Sequence, residues 1–133
     1  MNVANRIRQT LSAWPGVSEA PHRFGGIEFR YGGKELGHLH EDRLADLPFS
    51  RSVHDQLVAN GEAEPHHIYP DSGWVSVWIR KEEDVDRVIR LFRMQYDRLV
   101  KKSASRNKRT DLVYRKQISH HESGGSFRAP EHR

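Results

Sequence analysis

Ile27-Glu28-Phe29-Arg30-Tyr31-Gly32-Gly33-Lys34-Glu35-Leu36-Gly37-His38-Leu39-His40 reads as two extended segments joined by a tight turn. Ile27, Phe29 and Tyr31 alternate with Glu28 and Arg30, the period of a strand with one buried face. Gly32-Gly33 supplies the two residues with positive φ that a two-residue hairpin turn demands. Such a turn fixes the pairing: Tyr31 opposite Lys34, Arg30 opposite Glu35, Phe29 opposite Leu36, Glu28 opposite Gly37 and Ile27 opposite His38. Opposite charges meet in that register, and so do two apolar side chains. It sets His38 and His40 on the same face as Ile27, Phe29 and Leu36.

Working outward, Val3, Ile7 and Leu11 recur every four residues, with Ala4 and Trp14 beside them. This pattern predicts an amphipathic helix that ends before Pro15-Gly16. After the hairpin, Arg43 to Phe49 is a third extended segment, stopped by Pro48. Ser50 is placed to cap a helix carrying Val53, Leu57 and Val58, which Asn60-Gly61 closes. Glu62 to Asp71 is a loop or short strand between Pro65 and Pro70. Trp74 to Ile79 alternates again, with Trp74, Ser76 and Trp78 against Val75, Val77 and Ile79. Glu82, Glu83 and Asp84 open a last helix with negative charge at the end its dipole favours, and Val85, Ile89, Phe92, Tyr96 and Leu99 form its apolar stripe. The order α-β-β-β-α-β-β-α predicts an α+β fold, an antiparallel sheet with helices packed on one face.

At 133 residues the chain is expected to form one domain, residues 1–100, with a core that needs no covalent staples. There is no cysteine, which excludes disulfides, thiolate metal sites and cysteine nucleophiles. No stretch approaches the roughly 20 apolar residues that span a bilayer, and the first residues lack the apolar run of a secretory signal; a cytoplasmic location is the expectation. The net charge of +4 is unevenly spread: residues 101–133 hold nine Lys/Arg and three acids, a net of +6, leaving −2 on residues 1–100. From Lys101 onward apolar residues thin out, and Ser123-Gly124-Gly125-Ser126 reads as a spacer, so 101–133 is expected to be a basic, largely disordered tail.

Five runs carry a family likeness: Trp14-Pro15-Gly16-Val17, Arg23-Phe24-Gly25-Gly26, Glu35-Leu36-Gly37-His38-Leu39-His40, Asp46-Leu47-Pro48-Phe49 and Pro70-Asp71-Ser72-Gly73-Trp74-Val75. On these the chain resembles, over residues 14–99, the short proteins of the luciferase-domain family. The family name implies oxygenation of a luciferin. The element order also looks like the small α+β fold of MmcQ/YjbR-type proteins, which is a likeness of architecture.

His38-Leu39-His40 is the sharpest chemical feature. Strand residues two apart project to the same face with Cα atoms about 7 Å apart, close enough for two imidazoles to meet one ion or ligand. His66-His67, after Pro65, could add a third imidazole, and Asp42 or Asp46 a carboxylate. Two readings stay open: a metal-free pocket lined by His38, His40, His66 and Trp74, or a divalent metal held by His38, His40 and His66. A structural role for His38 as a core histidine competes with both. If Val75 and Val77 pack under the helices, Trp74 and Trp78 form an apolar platform on the other side. The glycine pairs fit bulges and a hairpin rather than a phosphate loop, because no Gly-Lys-Ser/Thr follows a strand.

These features point to a small-molecule-binding domain or a minor enzyme. A homodimer is compatible with either role. In the alternative reading the working part is the tail: Lys101, Lys102, Arg106, Lys108 and Arg109 could neutralise phosphates of nucleic acid or another anionic partner, with no interleaved aromatics to read bases.

Overall fold

The structure, a computed structural model, describes residues 3–22 and 25–124, with side chains placed as far as Asn107. The elements run α1 (Val3–Ser12), β1 (Val17–Pro21), β2 (Ile27–Tyr31), β3 (Lys34–His40), β4 (Leu44–Pro48), α2 (Arg51–Ala59), β5 (Glu64–Pro65), β6 (Trp74–Trp78) and α3 (Glu82–Gly124). The six strands form one antiparallel sheet in the order β1-β2-β3-β4-β6-β5. The fold is α+β, in the predicted succession of helix, strands, helix, strands, helix. Among the described residues no helix is long and apolar enough to cross a membrane. The chain divides into two units, 1–97 and 98–133; the sheet and the site described below belong to the first.

Local chemistry accounts for most of the element ends. Gly32 and Gly33 take φ of 56° and 85°, the pair of positive values the hairpin turn needs. The Ser50 hydroxyl accepts from the Val53 N–H at 3.2 Å, and Asn60 caps the other end of α2 with Gly61 at φ 72°. At the start of α3, the Asp84 carboxylate accepts from the backbone N–H groups of Arg80 and Lys81 at 2.8 and 3.1 Å.

The core lies on one face of the sheet. Ile7 and Leu11 of α1, Phe29, Leu36, Leu39, Leu47 and Val75 from the strands, and Val85, Val88, Leu91 and Phe92 of α3 are all buried to within 1%. Phe29 and Phe92 meet edge to face with ring centroids 5.4 Å apart, a favourable aromatic geometry. The Tyr96 hydroxyl donates to the Pro15 carbonyl at 2.7 Å. Each fully buried side chain of this size contributes roughly 1.5–3 kcal/mol of transfer free energy.

Three expectations are corrected. The hairpin keeps Tyr31 opposite Lys34 and Arg30 opposite Glu35, but then shifts by one residue. Phe29 faces Gly37, Glu28 faces His38 and Ile27 faces Leu39. Leu36 is the extra residue of a β-bulge, so Leu36 and Leu39 both reach the core. His38 and His40 are thereby moved to the opposite face from Phe29. Secondly, Val17–Pro21 is an additional strand. It is short, half-buried at best and without alternating apolar residues, so no period betrays it. Thirdly, the last helix does not stop near Leu99 but runs to Gly124. Between Glu82 and Ser123 there is no glycine or proline to break it. Gly125 and Ser126 of the expected spacer lie outside the described residues, as do Arg23 and Phe24.

Candidate ligand and metal site

The face of the sheet opposite the helical core carries a row of polar residues. Glu28, His38, Asp46 and Ser76 stand opposite one another across β2, β3, β4 and β6, and Glu64 of β5 continues the row. The bulge builds this row twice over. It turns His38 outward, and it brings Glu35, three residues earlier, onto the same face. In an unbroken strand, residues three apart point to opposite sides. The His38 Nδ1–H therefore donates to Glu35 Oε2 at 2.7 Å.

Asp46 is the hub. Its side chain is 1% exposed. Oδ1 accepts from the Ser76 hydroxyl at 2.7 Å. Around Oδ2 stand four imidazole Nε2 atoms: His40 at 3.0 Å, His38 at 3.3 Å, and His66 and His67 at 3.4 Å each. His38 and His40 come from β3, two residues apart; His66 and His67 come from the segment that leaves β5. Trp74, at the start of β6, sets its ring 5.5 Å from that of His38 and 6.0 Å from that of His66. His22, just past β1, stacks on His38 with centroids 3.8 Å apart.

Over this cluster lies a cleft of about 750 Å³. Its lining includes Ala20 and His22 on one side, Ile68 and Tyr69 on the other, and His38, His40, Asp46, His66, His67 and Trp74 between them. Ile68 and Tyr69 are both 63% exposed, a large apolar pair left in water at the mouth.

The charges follow from the contacts. Burial works against the imidazolium form of His38, but hydrogen bonds to Asp46 and Glu35 outweigh it and hold its pKa up at about 9. Burial likewise works against the Asp46 carboxylate. The His38 and Ser76 hydrogen bonds, with the neighbouring imidazoles, prevail and hold it well below the usual carboxylate range. His66 and His22 are both pushed down, chiefly by burial. At neutral pH the floor of the cleft thus holds an ionised Asp46 against a protonated His38, with His66 neutral beside them.

All four residues expected to line a pocket, His38, His40, His66 and Trp74, meet in this cleft. Of the two carboxylates considered, Asp46 is at the centre. Asp42 instead accepts from the Ala4 N–H at 3.0 Å. His67, His22, Ser76 and Glu35 complete the constellation. Only His67, adjacent to His66, carried a sequence signal; the others are polar residues on strands or at their ends, and sheet pairing alone brings them in. Three sets of side chains have donor atoms close enough to hold one ion: His22, Glu35 and His38; His38, His40 and Asp46; and Asp46, His66 and His67. Of the basic residues expected to contact anions, Lys101, Lys102 and Arg106 are exposed on α3, whereas the side chains of Lys108 and Arg109 lie outside the described residues.

No curated protein and no solved structure matches the chain. Residues 33–95, from the second glycine of the hairpin to Gln95 of α3, match the family model described as "Luciferase domain". The stretch that carries His38, His40, Asp46, His66, His67 and Trp74 is therefore the part of the chain that is similar to the luciferase-domain family.

Proposed function

We propose that the domain binds a small planar organic molecule in the cleft over Asp46, with Trp74 and the imidazole faces as its walls. The observation that carries this reading is the convergence of four imidazoles and a half-buried indole on one buried carboxylate beneath an open cleft. Aromatic walls with a few convergent polar groups are the usual make-up of a ligand pocket. A ring lying against Trp74 would direct a hydroxyl or carboxylate toward His38 and His40. There the Asp46–imidazole cluster can accept or return a proton. Binding with proton transfer is the chemistry the floor supports, whether the domain works as a binding module or as a minor enzyme.

Benzoate and 4-hydroxybenzoate are suitable probes. Each should raise the melting temperature of the full chain saturably and quench tryptophan fluorescence. At a concentration 100 times the dissociation constant, native-state binding contributes roughly 2.7 kcal/mol, easily seen in a melt. Trp74→Leu and His40→Ala should each weaken binding by about tenfold or more, equivalent to about 1.4 kcal/mol, while the unliganded protein stays folded. If neither probe shifts the melt, or if Trp74→Leu binds like the wild type, the cleft is not a ligand site.

A further inference from the structure

We infer that the same cleft floor is a mononuclear site for a divalent first-row transition ion, held by His38 Nε2, His40 Nε2 and Asp46 Oδ2, with His66 as a positioning residue. This deepens the binding reading above and rests on it for the location of the site.

The first argument is one of valence. A carboxylate oxygen offers two in-plane lone pairs. Asp46 Oδ2 has four imidazole Nε2 atoms at 3.0–3.4 Å, more than it can accept as hydrogen bonds. Ligand atoms bound to one ion at about 2.1 Å, however, stand about 3.0 Å apart at right angles and about 3.4 Å apart at tetrahedral angles. Oδ2 stands 3.0 Å from His40 Nε2 and 3.3 Å from His38 Nε2, and the donor atoms of these three residues lie within 4.8 Å of one another, close enough to share an ion.

The second argument is one of tautomers. His38 donates its Nδ1–H to Glu35, which leaves Nε2 as the lone-pair atom of the neutral ring. A carboxylate behind the far nitrogen of a histidine is the usual means of orienting a metal ligand. His66 is set the other way. Its Nδ1 accepts from the backbone N–H groups of Ile68 and Tyr69, both at 3.1 Å, so the proton of the neutral ring sits on Nε2 and points at Asp46. A protonated Nε2 cannot bind a metal. His66 instead holds the carboxylate in place, as Ser76 does at Oδ1. The sequence alone points to His66 as a third imidazole ligand; its hydrogen bonding gives it the positioning role instead.

Two imidazoles and one carboxylate suit zinc, iron(II) or cobalt(II) rather than magnesium or calcium, which take oxygen ligands. The ligands come from β3 and β4, and the cleft lies over them. That leaves the ion a coordination position open to a bound molecule.

The test uses the full chain without a histidine tag, stripped with a chelator and titrated with Co²⁺ and with Zn²⁺. One equivalent of Co²⁺ should bind saturably and give visible absorption bands, and Zn²⁺ should displace it. His40→Ala removes a partly exposed side chain, so the fold should persist while Co²⁺ affinity falls by at least about tenfold and the band pattern changes. His66→Gln should lower affinity by about 10–100-fold, as loss of an outer partner does, yet leave the band pattern as in the wild type. Absence of saturable Co²⁺ binding, or wild-type affinity and bands in His40→Ala, overturns the site. A changed band pattern in His66→Gln overturns the assigned ligand set. Benzoate binding to the stripped protein, measured in parallel, separates the two readings: if it persists while Co²⁺ fails, only the metal site falls, and if both fail, the cleft reading falls with it.

Discussion

Histidine 38 lies between two carboxylates, Glu35 at Nδ1 and Asp46 at Nε2, and this has a measurable effect on the metal-free protein. Its pKa rises from 6.5 in the unfolded chain to about 9 in the fold. The stabilisation from its charge is therefore fully present below pH 6.5 and is lost as pH rises through about 9. Asp46 has the opposite sign: its pKa is lowered from 3.8, so its contribution is present above that value and is lost as pH falls. Urea denaturation of chelator-treated protein should therefore show greatest stability between about pH 4 and 6.5, falling by on the order of 1–3 kcal/mol toward pH 9.5. In His38→Gln that alkaline loss should vanish; a wild-type profile flat from pH 6 to 9.5 would contradict the arrangement. At this scale the sequence named the imidazoles and two candidate carboxylates, Asp42 and Asp46, without choosing between them. The spacing of His38 and His40 put the two imidazoles on one face whatever the register. Which carboxylate they meet was set by pairing with β4, where Asp46 stands directly opposite His38. No residue near His38 in sequence reveals that.

Among the elements, the bulge in β3 decides which face of the sheet becomes the site. Turn chemistry predicted the first two pairs of the hairpin, Tyr31–Lys34 and Arg30–Glu35, because a two-residue turn leaves them no freedom. Beyond those pairs, Leu36-Gly37 could continue the ladder or interrupt it, and the choice rests on contacts remote in sequence. A Cβ on Gly37 would lie 2.7 Å from the Asp46 carbonyl oxygen, 2.8 Å from Phe92 and 3.1 Å from Leu47. The glycine is where β4 and α3 close on β3. Gly37→Ala should therefore destabilise the domain by about 1–3 kcal/mol through overpacking, as read by denaturant midpoint. It should also weaken benzoate binding, since relief of the clash displaces the strand that carries His38 and His40. A mutant as stable as the wild type would mean that β4 and α3 yield without strain. The other elements were legible where capping and periodicity agree, as at Ser50 and Asn60-Gly61. They were not legible where, as in Val17–Pro21, pairing with a neighbouring strand is the sole reason for the extended form.

For the molecule as a whole, charge and sheet boundaries set how copies meet each other and their surroundings. The excess positive charge belongs to residues 101–133, and residues 1–100 carry a net −2. The sheet itself ends at β1 on one side and β5 on the other. β1 closes with Pro21, and its Glu19 is held by Arg8 at 2.9 Å; β5 is two residues long, and one of them is Pro65. Proline offers no N–H, and a short, charged border gives an incoming strand little to template upon. The protein should therefore resist head-on polymerisation of its sheets during expression and heating. Replacing both prolines, as in Pro21→Val with Pro65→Val, should raise light scattering below the melting temperature, while unchanged scattering would show that the borders are guarded by something other than the missing donors. A domain that leaves an aromatic cleft open to water on one face has reason to keep its margins inert, since a copy that cannot add a strand cannot bury its neighbour's binding surface either.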